Sequence, residues 1–412
     1  MELYYSFSAL IVLAALFSYL NHRFLKLPST IGIMLMAILA SIVVRFGGNV
    51  LFPDLSTKFF TLIREFDFTE VLMGAMLNFL LFAGAIHVNF ADLRQQRMAV
   101  ITLSTISVIF STFFIGWGIF YLTSWWGIDV PFLYCLLFGS LISPTDPIAV
   151  LGILKKADVP KTLETKIAGE SLFNDGVAVV LFSVILQLTQ SSSIDISFSA
   201  VTWLLLKEAV GGLLLGGMLG YVASNAIKGI DDYIVSAMIT LAVVMGGYLV
   251  ARELHISGPL TMVAAGLFIG NYARKVAMSD VTKDYLNKFW ELIDEILNAI
   301  LFLFIGFELL LIPDLKSYWL ISLVAIVIVL FARFLSIWLP SLAIPFKPKL
   351  RRGPLTLLVW GGLRGGVSIA LVLAIGDHEY KDLLLEMTYF VVVFSILVQG
   401  LTIGKVAGKV LS

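Results

Sequence analysis

Charge is scarce in this chain. Asp, Glu, Lys and Arg make up 14% of its 412 residues and cancel to a formal net charge of zero. A nucleic-acid partner needs a basic face, and this balance gives no reason to expect one. Cysteine is scarcer: the lone Cys135 cannot close an intramolecular disulfide and leaves the redox compartment undetermined. With so few Cys and His there is no cluster of the ligands that transition metals select, and no cofactor is expected. Also missing is any polar stretch long enough to fold as a soluble domain, so the chemistry must be done at membrane depth.

Apolar sequence fills the space these absences leave. Hydrophobic residues reach 59%, mean hydropathy is +0.97, and apolar runs of about 20 residues recur end to end. Lipid forces backbone polar groups to bond within their own segment, so the expected class is an all-α polytopic membrane protein. Runs between charged or Pro/Gly-rich breaks predict about thirteen transmembrane helices. They lie near residues 3–20, 29–45, 69–87, 98–124, 131–154, 168–190, 203–227, 232–250, 257–273, 291–312, 318–344, 353–376 and 383–408. The first is read as a retained helix, because Glu2 occupies the place of a signal peptide's basic region and Arg23 and Lys26 follow. Asp280 to Trp290 reads as an amphipathic segment on the cytoplasmic membrane surface or as a connecting turn.

Basic residues orient these helices, since cytoplasmic loops carry the Lys and Arg excess. With the N-terminus outside, outer loops hold only Lys58, Arg64, Arg252, Lys316 and Lys381. Apart from Arg45, Lys207, Arg333 and Arg364 inside helices, the other nineteen of the 28 fall in inner loops. The expected placement is the plasma (inner) membrane with a cytoplasmic C-terminus.

The chain also resembles itself. The third segment reads LNFLLFAGAIHVNFADL from Leu77 to Leu93 and the tenth LNAILFLFIGFELLLIPDL from Leu297 to Leu315, running in opposite directions under this topology. The expected architecture is two inverted six-helix repeats, residues 1–190 and 232–412, joined by a linker helix within 198–228.

Under that repeat the fifth and twelfth helices correspond, and both carry helix breakers: SPTDP, with Pro144 and Pro147, and GGLRGGVS from Gly361 to Ser368. Paired interruptions of this kind point to a midplane site built from broken crossing helices. Each break has a charge, Asp146 in one and Arg364 in the other. The sixth helix adds GESLFNDG, with Glu170, Ser171, Asn174 and Asp175. An ionisable side chain at this depth costs at least ~2.5 kcal/mol, which makes it a candidate functional group. Helical spacing puts Ser171 with Asp175 on one stripe and Glu170 with Asn174 on the next. Oxygens of Asp175, Ser171, Thr145 and Asp146 form a donor set for a hard monovalent cation. Asp146, Glu170 and Asp175 against Arg333 and Arg364 leave about one uncompensated negative charge, to be met by one cation or one proton. Whether Arg333 or Arg364 pairs with Glu170 is left open by the residues themselves.

The SPTDP break, the GES-x-x-ND segment, SGPLTMVAAGLFIGN and GGLRGGVSIAL occur here in one order along the chain. Together they resemble the electroneutral cation:proton antiporters of the NhaP/NHE type. The resemblance covers essentially the whole sequence. It implies an NhaA/NhaP-like fold in which Asp175 carries cation or proton, Ser171 and Asp146 assist, Asn174 and Thr145 shape the site, and Glu170 pairs with Arg333. It implies a homodimer in a lipid bilayer, with helices 4–6 and 11–13 as a moving core and 1–3 and 8–10 as scaffold. Exchange of Na+, Li+ or K+ for H+ is then expected at one for one, with no enzymatic activity. An intramembrane aspartyl protease using Asp146 and Asp175 lacks its Gly-x-Gly-Asp context, and a cation channel does not call for paired broken helices.

Overall fold

Backbone amides crossing lipid need partners within their own segment, and nearly every described residue is helical. The computed structural model describes residues 2–45, 71–146, 150, 159–190, 198–230, 232–273, 278–311, 318–344, 352–376 and 378–411. In chain order the helices are α1 (Glu2–Leu20), α2 (Ser29–Val43), α3 (Leu72–His87), α4 (Arg97–Trp125), α5 (Phe132–Ile142) and α6 (Lys161–Gln190). There follow α7 (Phe198–Lys228), α8 (Tyr233–Glu253), α9 (Gly258–Phe268), α10 (Asp280–Leu311) and α11 (Trp319–Ala343). The chain closes with α12 (Arg352–Trp360), α13 (Gly366–Leu373) and α14 (Lys381–Val410). Among the described residues, seven helices are by themselves long and apolar enough to span a membrane.

Three boundaries differ from the hydropathy reading. Helix α5 ends at Ile142, and of its expected continuation to residue 154 only a part is described. Helix α6 begins at Lys161, ahead of its apolar portion. Helix α10 begins at Asp280, so the stretch from Asp280 to Trp290 is neither a surface strap nor a turn but the first part of a continuous helix. The reason is Trp290. Its indole is fully buried, packs on Phe82 with ring centroids 4.6 Å apart, and donates to the Thr240 hydroxyl at 3.1 Å. Lys283 and Lys288 pair on the helix surface with Asp280 and Asp284.

Two close crossings frame the interior. A Cβ on Gly306 of α10 would lie 2.9 Å from the Met34 carbonyl of α2, and one on Gly266 of α9 would lie 2.8 Å from the Phe82 carbonyl of α3. Small residues let helix backbones meet in lipid, where apolar burial alone gives little preference. The α2–α10 crossing thus has a counterpart in α9–α3. The largest buried apolar cluster gathers residues of α1 to α6, α10, α11, α13 and α14.

Candidate ion site at the crossed helix breaks

Pro144 has no amide to offer, and α5 ends two residues before it, leaving carbonyls without helical partners. The second break supplies the donor. Arg364 Nη1 donates to the Pro144 carbonyl at 2.9 Å and also to that of Ser143. A guanidinium at the carboxyl end of a helix is electrostatically favourable. The converse holds at the other break. Asp146 donates its backbone N–H to the Leu363 carbonyl at 2.8 Å, an isolated antiparallel bridge between the two interruptions. Its carboxylate lies beside Gly365, immediately ahead of the amino end of α13, where negative charge is favoured. Each break therefore sets its charge against the other's helix end. Arg364 is held further by its own N–H, which donates to Ser395 Oγ at 2.8 Å.

Gly365 makes this approach possible, because a Cβ there would lie 2.6 Å from Asp146 Oδ2. Gly365→Ala should therefore displace the carboxylate, at ~1–3 kcal/mol for such overpacking, and sharply slow any transport through the site. Cation-driven proton flux in liposomes, with thermal stability measured in parallel, checks this. A flux equal to wild type in a folded variant would contradict it.

Helix α6 brings the third set of groups. Thr145 Oγ1 accepts from Asn174 Nδ2 at 2.7 Å and shares a hydrogen bond with Ser171 Oγ at 3.0 Å, tying the first break to α6. Ser171 and Asp175 line a cavity of about 820 Å³ together with Pro144, Thr145 and Asp146. Asp175 is 9% exposed, at the cavity's inner wall, and the charge of Asp146 reaches it. Glu170 faces away from the cavity and meets Arg333 of α11 at 2.5 Å, both side chains buried. Arg333 Nη2 also donates to the Leu358 carbonyl at 3.1 Å. The two arginines thus divide their duties, one to a carboxylate and one to helix-end carbonyls. The cavity opens past His87, Asp92, Lys161 and Glu164, on the side that the basic-residue bias assigns to the cytoplasm. Lys161 and Asp92 pair across that rim at 2.9 Å.

Several polar residues were missed by sequence reasoning. Glu308 and Glu386 are each 1% exposed, in α10 and α14, and do not line the cavity. Their signal was a single acid inside an apolar run, the same one that singled out Asp175. Asn287, Glu291, Asp294, Glu295 and Asn298 of α10 all line the cavity. Their signal is a polar residue every three or four positions along one helical face.

Paired broken helices that cross beside a carboxylate-lined cavity, in an all-helical membrane bundle, define the class: a secondary transporter of the antiporter fold. Residues 11–409 match the family model described as sodium/hydrogen exchanger, transmembrane. The chain belongs to that family. It is 48% identical over 410 residues, 98% of this chain and 96% of its relative, to the Na(+)/H(+) antiporter NhaP of Pseudomonas aeruginosa. It is 36% identical over 345 residues, 83% of each chain, to the Na(+)/H(+) antiporter NhaH of Halobacillus dabanensis. The sodium proton antiporter MjNhaP1 of Methanocaldococcus jannaschii shares its fold with a TM-score of 0.78 over the full length of both chains at 20% identity.

Proposed function

We propose that this protein is a sodium/proton antiporter that moves one monovalent cation against one proton, the two competing for Asp175. The observation that carries this reading is how the buried charges are engaged. Glu170 and Arg333 neutralise each other, while Arg364 and Asp146 are each set against an opposite helix end. Asp175 is left facing the cavity beside Ser171, and a bare carboxylate there must be balanced before it can cross an apolar layer. Sodium is the substrate favoured by the relatives; lithium and potassium share its oxygen chemistry.

Asn174 is the reason for assigning one proton per cation. Its amide serves the Thr145 hydroxyl and adds no second titrating group beside Asp175. The Asp146 and Asp175 side chains, with the Ser171 and Thr145 hydroxyls, supply the cation's oxygens. Alternating access follows by moving α4–α6 and α11–α14 as a core against α1–α3 and α8–α10, in a homodimer spanning the plasma membrane with its C-terminus inside.

Proton flux in proteoliposomes carrying an imposed pH gradient tests the stoichiometry. Sodium should collapse the gradient at the same rate with and without potassium and valinomycin. A sodium-dependent current, or a rate that follows the imposed voltage, would sink one-for-one exchange. Apparent sodium affinity should also weaken as pH falls, because proton and cation compete for one carboxylate.

A further inference from the structure

The polar stripe of α10 is unused by the site described above, although it lines the same cavity. Asn287, Glu291, Asp294, Glu295 and Asn298 recur at helical spacing, descending from the rim toward Leu301. Glu291 and Glu295 are exposed, Asn287 and Asp294 are half-buried, and only Asn298, last in the stripe, is fully buried at 1% exposed. Solvated acids at a rim need no explanation. The foot of the stripe does. Asn298 donates Nδ2 to the Asp294 carbonyl at 2.8 Å, while its Oδ1, buried at the cavity wall, has no hydrogen-bond partner. Ser368, at the start of α13, lines the same cavity, and its Oγ is likewise buried without a hydrogen-bond partner. Asp294 lies near enough to Asp146 for the two charges to act on each other. A carboxylate, an unpartnered amide oxygen and an unpartnered hydroxyl, on residues that line one cavity together with Asp146, are hard oxygen donors suited to a partly dehydrated monovalent cation.

We infer that Asp294 and Asn298 form a second cation-binding site, a station on α10 where the ion sheds part of its water before passing to Asp175. The inference rests on the antiport reading and adds a sidedness to it. Helix α10 belongs to the proposed scaffold, whereas Asp146 and Asp175 sit on the proposed core. The station therefore meets the carrier only when the cavity is open on this side. When the core moves, Asp294 stays behind. Its contribution acts on cation capture from the cytoplasmic face alone, which sets it apart from Asp175, needed from both.

The experiment measures the half-saturating sodium concentration for proton exchange at each face, using everted and right-side-out membrane vesicles. It compares wild type, Asp294→Asn, Asp294→Glu, Asn298→Ala and Asp175→Asn, with thermal stability of each purified protein. Asp294→Asn should raise the cytoplasmic-face value on the order of tenfold, the effect of one nearby charge in a partly watered site, and leave the outer-face value alone. Asn298→Ala should shift the same value less, and Asp294→Glu should restore it. Unchanged values at both faces overturn the station. An equal rise at both faces also overturns it, since a merely structural residue has no sidedness. If Asp294→Asn is too unstable to assay, the Asn298→Ala and Asp294→Glu values decide by the same criteria. Asp175→Asn separates the two levels. If it is inactive while Asp294→Asn is like wild type, the station fails and the antiporter reading stands; if it transports normally, the antiporter reading itself fails.

Discussion

Asp175→Asn should abolish sodium-dependent proton movement and leave a folded protein. The substitution keeps the side chain's size and its place on the cavity wall, and removes only the charge for which, on the proposed function, proton and cation compete. The surrounding hydrogen bonds do not depend on it: Thr145 keeps its contacts with Asn174 and Ser171, and Glu170 keeps Arg333. Relieving a largely buried carboxylate of its desolvation cost should leave thermal stability equal to or above that of wild type. Proton flux in liposomes together with a melting curve checks both halves. Residual exchange above a few per cent would place the exchangeable charge elsewhere, with Asp146 the next candidate.

Breaking the Glu170–Arg333 pair should have the opposite signature, a large loss of stability before any question of transport. Both side chains are buried at 2.5 Å separation, and removing one partner strands the other charge. Such losses run to ~3–5 kcal/mol. Arg333→Met and Glu170→Leu should each depress the melting temperature and yield, and the double variant should recover much of the loss, because neither charge is then uncompensated. A double variant as unstable as the sum of the singles would show that the pair's other contacts matter more, such as the Arg333 bond to the Leu358 carbonyl. Transport by the recovered double variant would mark the pair as a strut rather than part of the ion path.

Much of this arrangement could be read in the sequence because its signals are local. An acid inside an apolar run is conspicuous, so Asp146, Glu170 and Asp175 were found from their positions in such runs, and prolines and consecutive glycines mark backbone that cannot stay helical. Partners that are not side chains left no such mark. Arg364 bonds to carbonyls of Ser143 and Pro144, and no residue type announces a free carbonyl. The α10 stripe was overlooked for a different reason. A helix that extends past the bilayer carries charges along its outer turns, so hydropathy ends the segment where the polar face begins. That is why the start of α10 lay at Asp280, well before the apolar run. Glu308 and Glu386 carry the same signal, an acid inside an apolar run, but no helix break or polar motif stands beside them to draw attention to it.

The hydrogen bond between Asp146 N–H and the Leu363 carbonyl has a bearing on leak. Unwound backbone within a membrane must keep its polar groups satisfied in every arrangement it visits. Here each interruption is satisfied partly by the other, through this splice and through the Arg364 guanidinium. Neither can travel alone without stranding amides or carbonyls in an apolar layer. Half-moves, in which one break opens while the other stays, are therefore disfavoured by the same bonds that shape the site. Those are the excursions by which a proton or cation would slip across without its counterpart, so in the exchange proposed here tight coupling would owe as much to spliced backbone as to the ion's chemistry.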